Sequence, residues 1–534
     1  MNTSAVPAVR TQALVGIGVF ILGIWVAWQL GDKIAAEDLR TLEYCVLAIA
    51  GISVVVTTLR DWRNGFYVFL VWLLFEDLVR KFLGNNLAIY FGKDVLVGMI
   101  YVAFFLEVRR GNVKIFTPRF LLFFYPCLFL CIAGIMNPYS PSILYGLMGF
   151  KLNFYYMPLM FVGYGLIRND EDLRKFMMFN LLLALVVGGL GITQAIVGNS
   201  FLNPTNMAPE LRELGQMERI TPVSGQHLAV PSSVFVSAGR YSEYLMLIYV
   251  VAFGTAGYIL LHTDRGRKLA YLALGGIMAA TLFCGARGAV AYMFISTIAL
   301  TAMFLWGAPW RWRQAHRLVK SIVRTFIMGV AALILILILF PQEIAPRIAF
   351  YTESLDPSSS GYEVGNRTWD YPIRNLKAAL DQPTWLTGMG LGTASLGGQY
   401  VSKLLHQPPV EVWVEEGYGQ LILELGVLGP ILWLLWTIAL MYFAWGVTRK
   451  LKQTRFFPIA MAITWYAFLL LFPFTYGGLQ PYQNFVDNAY FWTLIGVLFK
   501  LPTLQAVFPN APLPAAKPKR LPPNWARPHA PQFQ

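Results

Sequence analysis

The residues best suited to chemistry lie in a polar, aromatic-rich stretch at 342–416, between two strongly apolar segments. It contains GNRTWDYPIRNLKAAL, WLTGMGLGT and VEEGYGQLILELGVLG, the last running into the next apolar segment. Arg367 and Arg374 fall in the first of these motifs. A guanidinium group binds phosphate through paired, charge-assisted hydrogen bonds. The stretch therefore predicts recognition of a ligand that carries phosphate.

Two further arginines stand where apolar segments begin. Arg287 lies in CGARGAV, at a tight junction between two such segments, and Arg240 opens another one. Together with Arg367 and Arg374 they could converge on one diphosphate. The alternative is that each guanidinium extends from a helix end to lipid phosphates. The sequence alone leaves both interpretations open.

Aromatic residues accompany these arginines. Trp369, Tyr371, Trp413 and Tyr418 are candidate sugar contacts, because such rings offer apolar faces with polar rims. Tryptophan and tyrosine also form the aromatic belts of membrane proteins at the lipid–water boundary. Either role suits these positions.

Composition identifies the elements that must hold these residues. The chain is 57% hydrophobic and 13% charged, with a mean hydropathy of +0.54. Its apolar residues form repeated, almost uncharged runs of about 17–25, the length of a helix that crosses a bilayer. The sequence therefore predicts an all-α, polytopic integral membrane protein with about 12–14 transmembrane helices and one large extracytoplasmic loop.

The distribution of basic residues predicts the topology. Inner loops carry the excess of arginine and lysine when both termini are cytoplasmic, which places the 342–416 loop outside. The membrane domain then covers 1–500, and 501–534 form a disordered cytoplasmic tail rich in proline and base. The segment 65–79 is short, and could be re-entrant instead of spanning.

The net charge of +14 follows from this topology, so nucleic-acid binding is not needed to explain it. Cys127 and Cys131 share a helical face without a histidine or acidic neighbour, and no metal site is expected. The glycines of GMGLGT are predicted to form a turn, because no strand precedes them as a dinucleotide site would require.

Charged residues near the spans cluster at their outer ends, and the span centres are almost free of charge. The residues at outer ends are Arg80, Lys81, Asp94, Lys151, Arg240, Glu243, Arg287 and Asp487. The exception is Glu424, which is predicted to lie about two turns inside a span. It could be a structural or a catalytic carboxylate. Transporters more often carry ionisable groups at the midplane. The pattern thus favours an enzyme at the outer boundary over a transporter.

These motifs, in this order, resemble those of the O-antigen ligase/polymerase superfamily of bacterial polysaccharide assembly. The resemblance rests on ARGAV after one span, NRTWDYPIRNLKAAL in a large outer loop, GMGLGT, and EEGYGQLILELGVLG entering the next helix. It covers roughly residues 230–445, and each motif alone is weakly specific.

The resemblance implies a glycosyltransferase acting on undecaprenyl-diphosphate-linked oligosaccharides at the periplasmic face of the bacterial inner membrane. It implies no cofactor and no metal, since the diphosphate is itself the leaving group. Carried over by motif, Arg287 and Arg367 bind that diphosphate, with Arg240 as a third. The expected partners are the lipid-linked glycan, the bilayer, and a flippase and chain-length regulator of the same pathway.

One departure from the family pattern concerns the expected base. Where the ligases carry histidine, this chain has Glu415, followed by Glu416. Either carboxylate could accept a proton from an acceptor hydroxyl, and either could instead cap the following helix. Arg287, Glu415 and Glu416 are thus the candidate catalytic residues. The missing histidine favours a polymerase of O-antigen, capsule or exopolysaccharide over a ligase, with a transporter or flippase of lipid-linked glycan as the alternative of another class.

Overall fold

The structure is a computed structural model of the chain. It describes residues 51–85, 87–205, 207–209, 211–212, 218–221, 223–262, 266–309, 341–358, 362, 364–406, 414, 417–472 and 480–507, with single helical positions between 316 and 338.

Helices make up most of the described chain. In chain order they are α1 (Gly51–Arg60), α2 (Trp62–Leu83), α3 (Leu87–Arg109), α4 (Leu121–Ile135), α5 (Ile143–Phe154), α6 (Leu159–Leu166), α7 (Asp170–Val197), α8 (Ala238–His262), α9 (Arg267–Phe283), α10 (Arg287–Gly307), α11 (Pro341–Leu355), α12 (Tyr371–Leu380), α13 (Leu396–Leu405), α14 (Gly417–Leu425), α15 (Leu428–Lys450), α16 (Phe457–Leu471), α17 (Gln480–Gln483) and α18 (Phe485–Val507). A π-helical turn, Asn366–Asp370, precedes α12. Strands β1 (Glu218–Ile220) and β2 (His227–Ala229) form an antiparallel hairpin in which Arg219 pairs with Leu228.

The helical membrane class predicted from composition is confirmed. Within the described residues, five helices are long and apolar enough to cross a membrane, namely α3 from Ala88, α7, α8 to Leu261, α10 and α15. Three shorter apolar helices are α1, α4 and α16. The total of 12–14 spans and the sidedness of the loops stay predictions.

Two apolar runs of the sequence are each divided between two helices, and two predicted boundaries shift. The apolar run at 153–167 is divided between α5 and α6, and the run at 417–446 is divided between α14 and α15. The second break occurs at Gly426, whose φ of +72° lies in the left-handed region. The segment at 65–79 belongs to the 22-residue helix α2, which at 1.5 Å per residue is about 33 Å long. The last helix continues to Val507, beyond the predicted start of the tail, and 508–534 lie outside the described residues.

Local sequence signals explain where helix α7 begins and ends. The Asn169 side chain accepts the backbone N–H of Asp172 at 2.8 Å, an N-cap that satisfies a free donor of the first turn. Three acidic residues, at 170–172, complement the positive end of the helix dipole. Gly198, with φ of +109°, ends the helix.

The chain divides into two compact units. Unit one comprises Met1–Leu70 and Asp94–Leu106, and unit two comprises Val71–Lys93 and Glu107–Gln534. In unit one, Trp62 packs edge-on against Phe104, with ring centres 5.1 Å apart, and Phe66 and Phe69 are buried.

Unit two is a bundle in which α8 packs against α9, α10 and α16, and α18 packs against α6. Gly163 of α6 and Gly496 of α18 allow that last pair to approach closely, because a Cβ at either position would overlap backbone of the other helix. The polar stretch at 342–416 adds helices α11, α12 and α13 to this unit. Its GMGLGT segment forms turns, as predicted, and the Met389 N–H donates to the carbonyl of Leu423 on α14 at 2.6 Å.

Candidate functional site: a buried basic cluster

Five basic side chains form a group in unit two, and four of them contact the rings of Tyr90, Phe91 or Phe485. These side chains, called the basic cluster below, are Arg80, Lys81, Lys93, Lys151 and Arg240. The Lys93 ammonium lies 3.7 Å from the centre of the Tyr90 ring and 4.2 Å from that of Phe485. The Arg240 guanidinium lies 4.7 Å from the Phe485 ring, and the Lys151 ammonium 4.9 Å from the Tyr90 ring. Contacts between cations and ring faces stabilise charge in surroundings with little water.

Carboxylates of α2 pair with part of this charge. Asp77 accepts from Arg80 Nη1 through Oδ1 and from Arg240 Nη1 through Oδ2, both at 3.0 Å. One turn of helix separates Asp77 from Arg80, so their pairing is local, whereas Arg240 comes from α8. Glu76 lies 2.8 Å from Lys93 Nζ, and both side chains are fully buried. The carboxylates therefore join α2, α3 and α8 into one charged network.

A segment at 230–237 covers one side of the cluster. Lys81 Nζ donates to Ser232 Oγ and to the carbonyl of Ser233, each at 3.0 Å. The Ser233 N–H donates to Gln194 Oε1 at 2.7 Å, and its hydroxyl donates to the Val187 carbonyl on α7. Ser233 has φ of +50°, which is uncommon for a residue other than glycine. These bonds hold that conformation and fix the segment between Lys81 and α7.

Two more carboxyl groups lie beside Phe485. Glu243 Oε2 accepts from Asn484 Nδ2 at 2.7 Å, and Asp487 Oδ1 accepts from the Tyr466 hydroxyl at 3.1 Å. Glu243 follows Arg240 by one turn of α8, so both side chains point toward the start of α18. The cluster is thus bordered by acidic groups within hydrogen-bonding networks.

A second group of arginines surrounds Phe350 of α11. The Arg287 guanidinium lies 4.2 Å from the ring centre and the Arg219 guanidinium 5.5 Å. Arg287 is the first residue of α10, where the helix dipole favours anions. Buried Arg347 donates to the carbonyls of Phe283 and Ala229, at 2.6 and 2.9 Å, and thereby fixes the turn before α10.

The two groups are neighbours along the chain segment that joins them. Arg347 binds the carbonyl of Ala229, and Lys81 binds that of Ser233, four residues later. Four residues of fully extended chain span at most about 14 Å. The basic cluster and the Phe350 group therefore lie at the two ends of one short segment.

A third group, in the polar stretch, is exposed. The Arg367 and Arg374 guanidinium groups lie 5.2 and 5.7 Å from the centre of the Tyr371 ring. Arg374 also lines an open cleft of about 480 Å³ with Trp369, Asp370 and Ile373. Trp369 is 67% exposed, and so its indole face is open to a ligand.

Glu424 has a structural environment. Its Oε1 accepts the Ala394 N–H at 3.2 Å and Gln420 Nε2 at 3.3 Å, and the side chain is 1% exposed. Gly388 and Gly426 have positive φ angles, and a Cβ on either would overlap the backbone of the segment opposite. Glu424 and these glycines thus lock the GMGLGT turn onto the end of α14.

The sequence-predicted site residues fall into different groups. Arg240 belongs to the basic cluster and Arg287 to the Phe350 group. Arg374 lines the exposed cleft and Arg367 lies over the Tyr371 ring, so the four do not form a single cluster. Tyr418 is half-buried in the first turn of α14. Trp413, Glu415 and Glu416 lie outside the described residues.

Sequence reasoning missed Glu76, Asp77 and Lys93. A signal was present, because the segment FEDLVRK at 75–81 places four charges within an otherwise apolar helix, and Lys93 stands in GKD soon after it. Charges buried in such helices are costly and are usually paired or functional. What the segment could not disclose was the pairing of Asp77 with Arg240, more than a hundred residues away.

Outside the membrane helices, Glu353 ties α11 to the hairpin loop. Its Oε2 accepts the N–H groups of Val223 at 2.8 Å and Ser224 at 3.3 Å. The bond from Val223 is the main cause of a lowered pKa of this carboxyl. The hairpin is consequently held by residues 347, 350 and 353, on one face of α11.

Within the described part of the chain, no group of three or more histidine, cysteine or acidic side chains is placed to hold a metal ion. Comparisons with protein-family models, with curated proteins and with solved structures found no match.

Proposed function

We propose that the protein is a membrane glycosyltransferase that uses a polyprenyl-diphosphate-linked oligosaccharide as donor and polymerises repeat units into a surface polysaccharide. The observation that supports this most is the basic cluster. Five basic side chains meet within a bundle of apolar helices, and those of Arg80, Lys81 and Lys93 are almost fully buried there. Guanidinium and ammonium groups are the usual protein partners of a diphosphate.

The same features suit the chemistry of transfer. Negative charge grows on the diphosphate as its bond to the anomeric carbon breaks, and cations already fixed in a site of low water content stabilise that charge strongly. Arg240 is held by Asp77 and Lys93 by Glu76, so both are oriented before the donor arrives. The apolar helices around the cluster suit a polyprenyl chain.

On this proposal each of the three groups binds a different part of the substrates. The basic cluster would hold the donor diphosphate, and Arg287 with Arg219 would hold a second phosphate, as a polymerase with two lipid-linked substrates requires. The exposed cleft at Trp369 and Arg374 would contact sugars. On this proposal the protein lies in the bacterial inner membrane, acts at the periplasmic face, and works with a flippase and a chain-length regulator.

Two alternative functions would use the same buried charges. A ligase, which transfers the glycan to a lipid or protein acceptor, would use the same donor site with one lipid-linked substrate. A transporter of lipid-linked glycan is favoured by the buried charges of α2, α8 and α18, since intramembrane ionisable groups often mark a transport route.

Reconstitution of the full chain in vesicles with a defined undecaprenyl-diphosphate oligosaccharide tests the proposal. We expect lengthened lipid-linked products, lost in Arg240→Ala and retained in Arg110→Ala, whose guanidinium is exposed and pairs with Glu107. Transfer to an added lipid acceptor without lengthening indicates the ligase. Movement of the lipid across the bilayer without any new glycosidic bond would refute both enzymes.

A further inference from the structure

A cation and a carboxyl group of α8 both contact residues at the start of α18. Arg240 and Glu243 are three residues apart on α8, and therefore lie on one face of it. The Arg240 guanidinium lies over the Phe485 ring. Glu243 accepts a hydrogen bond from Asn484, the residue that directly precedes Phe485. A ligand held by Arg240 is thus within one helical turn of the Glu243 carboxylate.

Accessibility distinguishes these two side chains from their surroundings. The Arg240 side chain is 17% exposed, and Glu243 is partly exposed. Asn484 and Phe485 are each 5% exposed, and Lys93 is fully buried. Among these residues, Arg240 and Glu243 are the ones that offer charged atoms to an incoming molecule.

The other groups that face Glu243 are Asp487 of α18 and Tyr466 of α16, both near enough to interact with it electrostatically. The Tyr466 hydroxyl donates to Asp487, which is 2% exposed. Asp487 is therefore a neighbouring carboxyl group that is buried inside the bundle. Its replacement serves as a matched control for the replacement of Glu243.

We propose that Glu243 is the general base of the transfer reaction, an inference that rests on the proposed function. Its carboxylate accepts the proton of the acceptor sugar's hydroxyl while that oxygen bonds to the anomeric carbon of the donor. The bond from this carbon to the diphosphate oxygen breaks, and its electron pair leaves with the diphosphate, held by Arg240. The proton then passes from Glu243 to water.

The hydrogen bond from Asn484 gives this base a fixed orientation. Because Asn484 donates to Oε2, the other carboxylate oxygen is left to meet the acceptor. On this inference Glu243 supplies, from the helix bundle, the role for which the sequence offered Glu415 and Glu416 as candidates.

The test uses the full chain in vesicles with lipid-linked donor and acceptor, comparing wild type with Glu243→Gln, Glu243→Asp and Asp487→Asn. Glu243→Gln keeps the size of the side chain and an acceptor for Asn484. We expect it to lower kcat by about 100-fold or more, with the KM for donor changed less than about threefold. Glu243→Asp should restore part of kcat, and Asp487→Asn should lower kcat less than about tenfold.

The dependence of kcat on pH separates a base from a merely structural carboxyl. Wild-type kcat should fall toward acid as the base is protonated, and the residual activity of Glu243→Gln should lack that fall. If the glutamine variant does not fold, a displaced acid limb in Glu243→Asp is the expected result, and an unchanged limb overturns the inference.

Failure of the inference is distinct from failure of the proposed function. A wild-type protein that forms no glycosidic bond refutes the proposed function, and the inference falls with it. An active wild type whose glutamine variant keeps kcat within about fivefold, with the same acid limb, refutes the inference alone. An equal loss of donor binding and kcat in that variant also overturns it, because Glu243 would then position the donor.

Discussion

Replacement of Asp77 by alanine should expose how the buried charges of α2 are balanced. Asp77 is 3% exposed and accepts hydrogen bonds from two guanidinium groups at 3.0 Å, those of Arg80 and Arg240. It also accepts the Val236 N–H at 3.3 Å. Removal of one partner from a buried ion pair leaves an uncompensated charge, which typically costs about 3–5 kcal/mol. We expect the free energy of unfolding to fall by about that amount.

A matched variant and a surface control separate the contributions. Asp77→Asn keeps an oxygen for the Val236 N–H but removes the negative charge, so most of the loss should remain if charge is the main cause. Glu107→Ala removes the partner of Arg110, whose side chain is 68% exposed. Exposed pairs contribute about 0.2–1 kcal/mol, and the control should therefore change little.

Unfolding of the purified protein by a denaturing detergent in mixed micelles, followed by tryptophan fluorescence, measures these differences. Inorganic pyrophosphate should recover part of the loss in Asp77→Ala and have less effect on the wild type, because an anion can replace the missing carboxylate. The reasoning is refuted if Asp77→Ala loses less than about 1 kcal/mol, as expected for a surface pair. Equal effects of pyrophosphate on both proteins would refute the role of charge balance.

Further outcomes follow from other contacts. In reconstituted vesicles, Arg287→Ala should abolish glycan lengthening while expression and the elution volume stay unchanged, and retained activity would exclude Arg287 from the site. Gly426→Ala should destabilise the protein by about 1–3 kcal/mol in the detergent titration, because its φ is +72° and a Cβ would overlap the Leu386 carbonyl; a neutral effect would contradict this. The bond from the Val223 N–H lowers the pKa of Glu353 below its ordinary 4.5, so its contribution to hairpin docking is complete above that pH and is lost as pH falls through the lowered value. Limited proteolysis of the hairpin should accordingly increase in acid for the wild type and be increased already at neutral pH in Glu353→Gln; pH-independent cleavage of the wild type would contradict this.

Hydropathy predicted the helical membrane class because helices in lipid must satisfy their backbone groups internally, which long apolar runs reveal directly. It did not predict the break at Gly426. The apolar run continues through that glycine, and what interrupts the helix is a backbone contact with Leu386, forty residues earlier in the chain. Contacts of this kind depend on the packed structure, and a window of hydropathy does not include them.

The arginines illustrate the same limit at the candidate site. Residue type and position singled out Arg240, and the structure places it in the basic cluster. The expectation that Arg287 and Arg367 join it required knowledge of how separate segments pack, and the structure places these two on Phe350 and Tyr371 instead. A sequence shows which cations are available, whereas the partners of each depend on the fold.

The location of the basic cluster in the helix bundle indicates which part of the chain would select the sugar and which would cleave the bond. A lipid-linked glycan presents an apolar chain, a diphosphate and sugars in that order. The basic cluster is buried among apolar helices, while the cleft at Trp369 is exposed, so the order of environments in the protein matches the order of groups in the proposed substrate. The polar stretch would then select the sugar, and the helix bundle would carry out the bond cleavage. Changes at Trp369 should therefore alter which glycan is used, whereas changes at Arg240 or Glu243 should stop the reaction for every glycan.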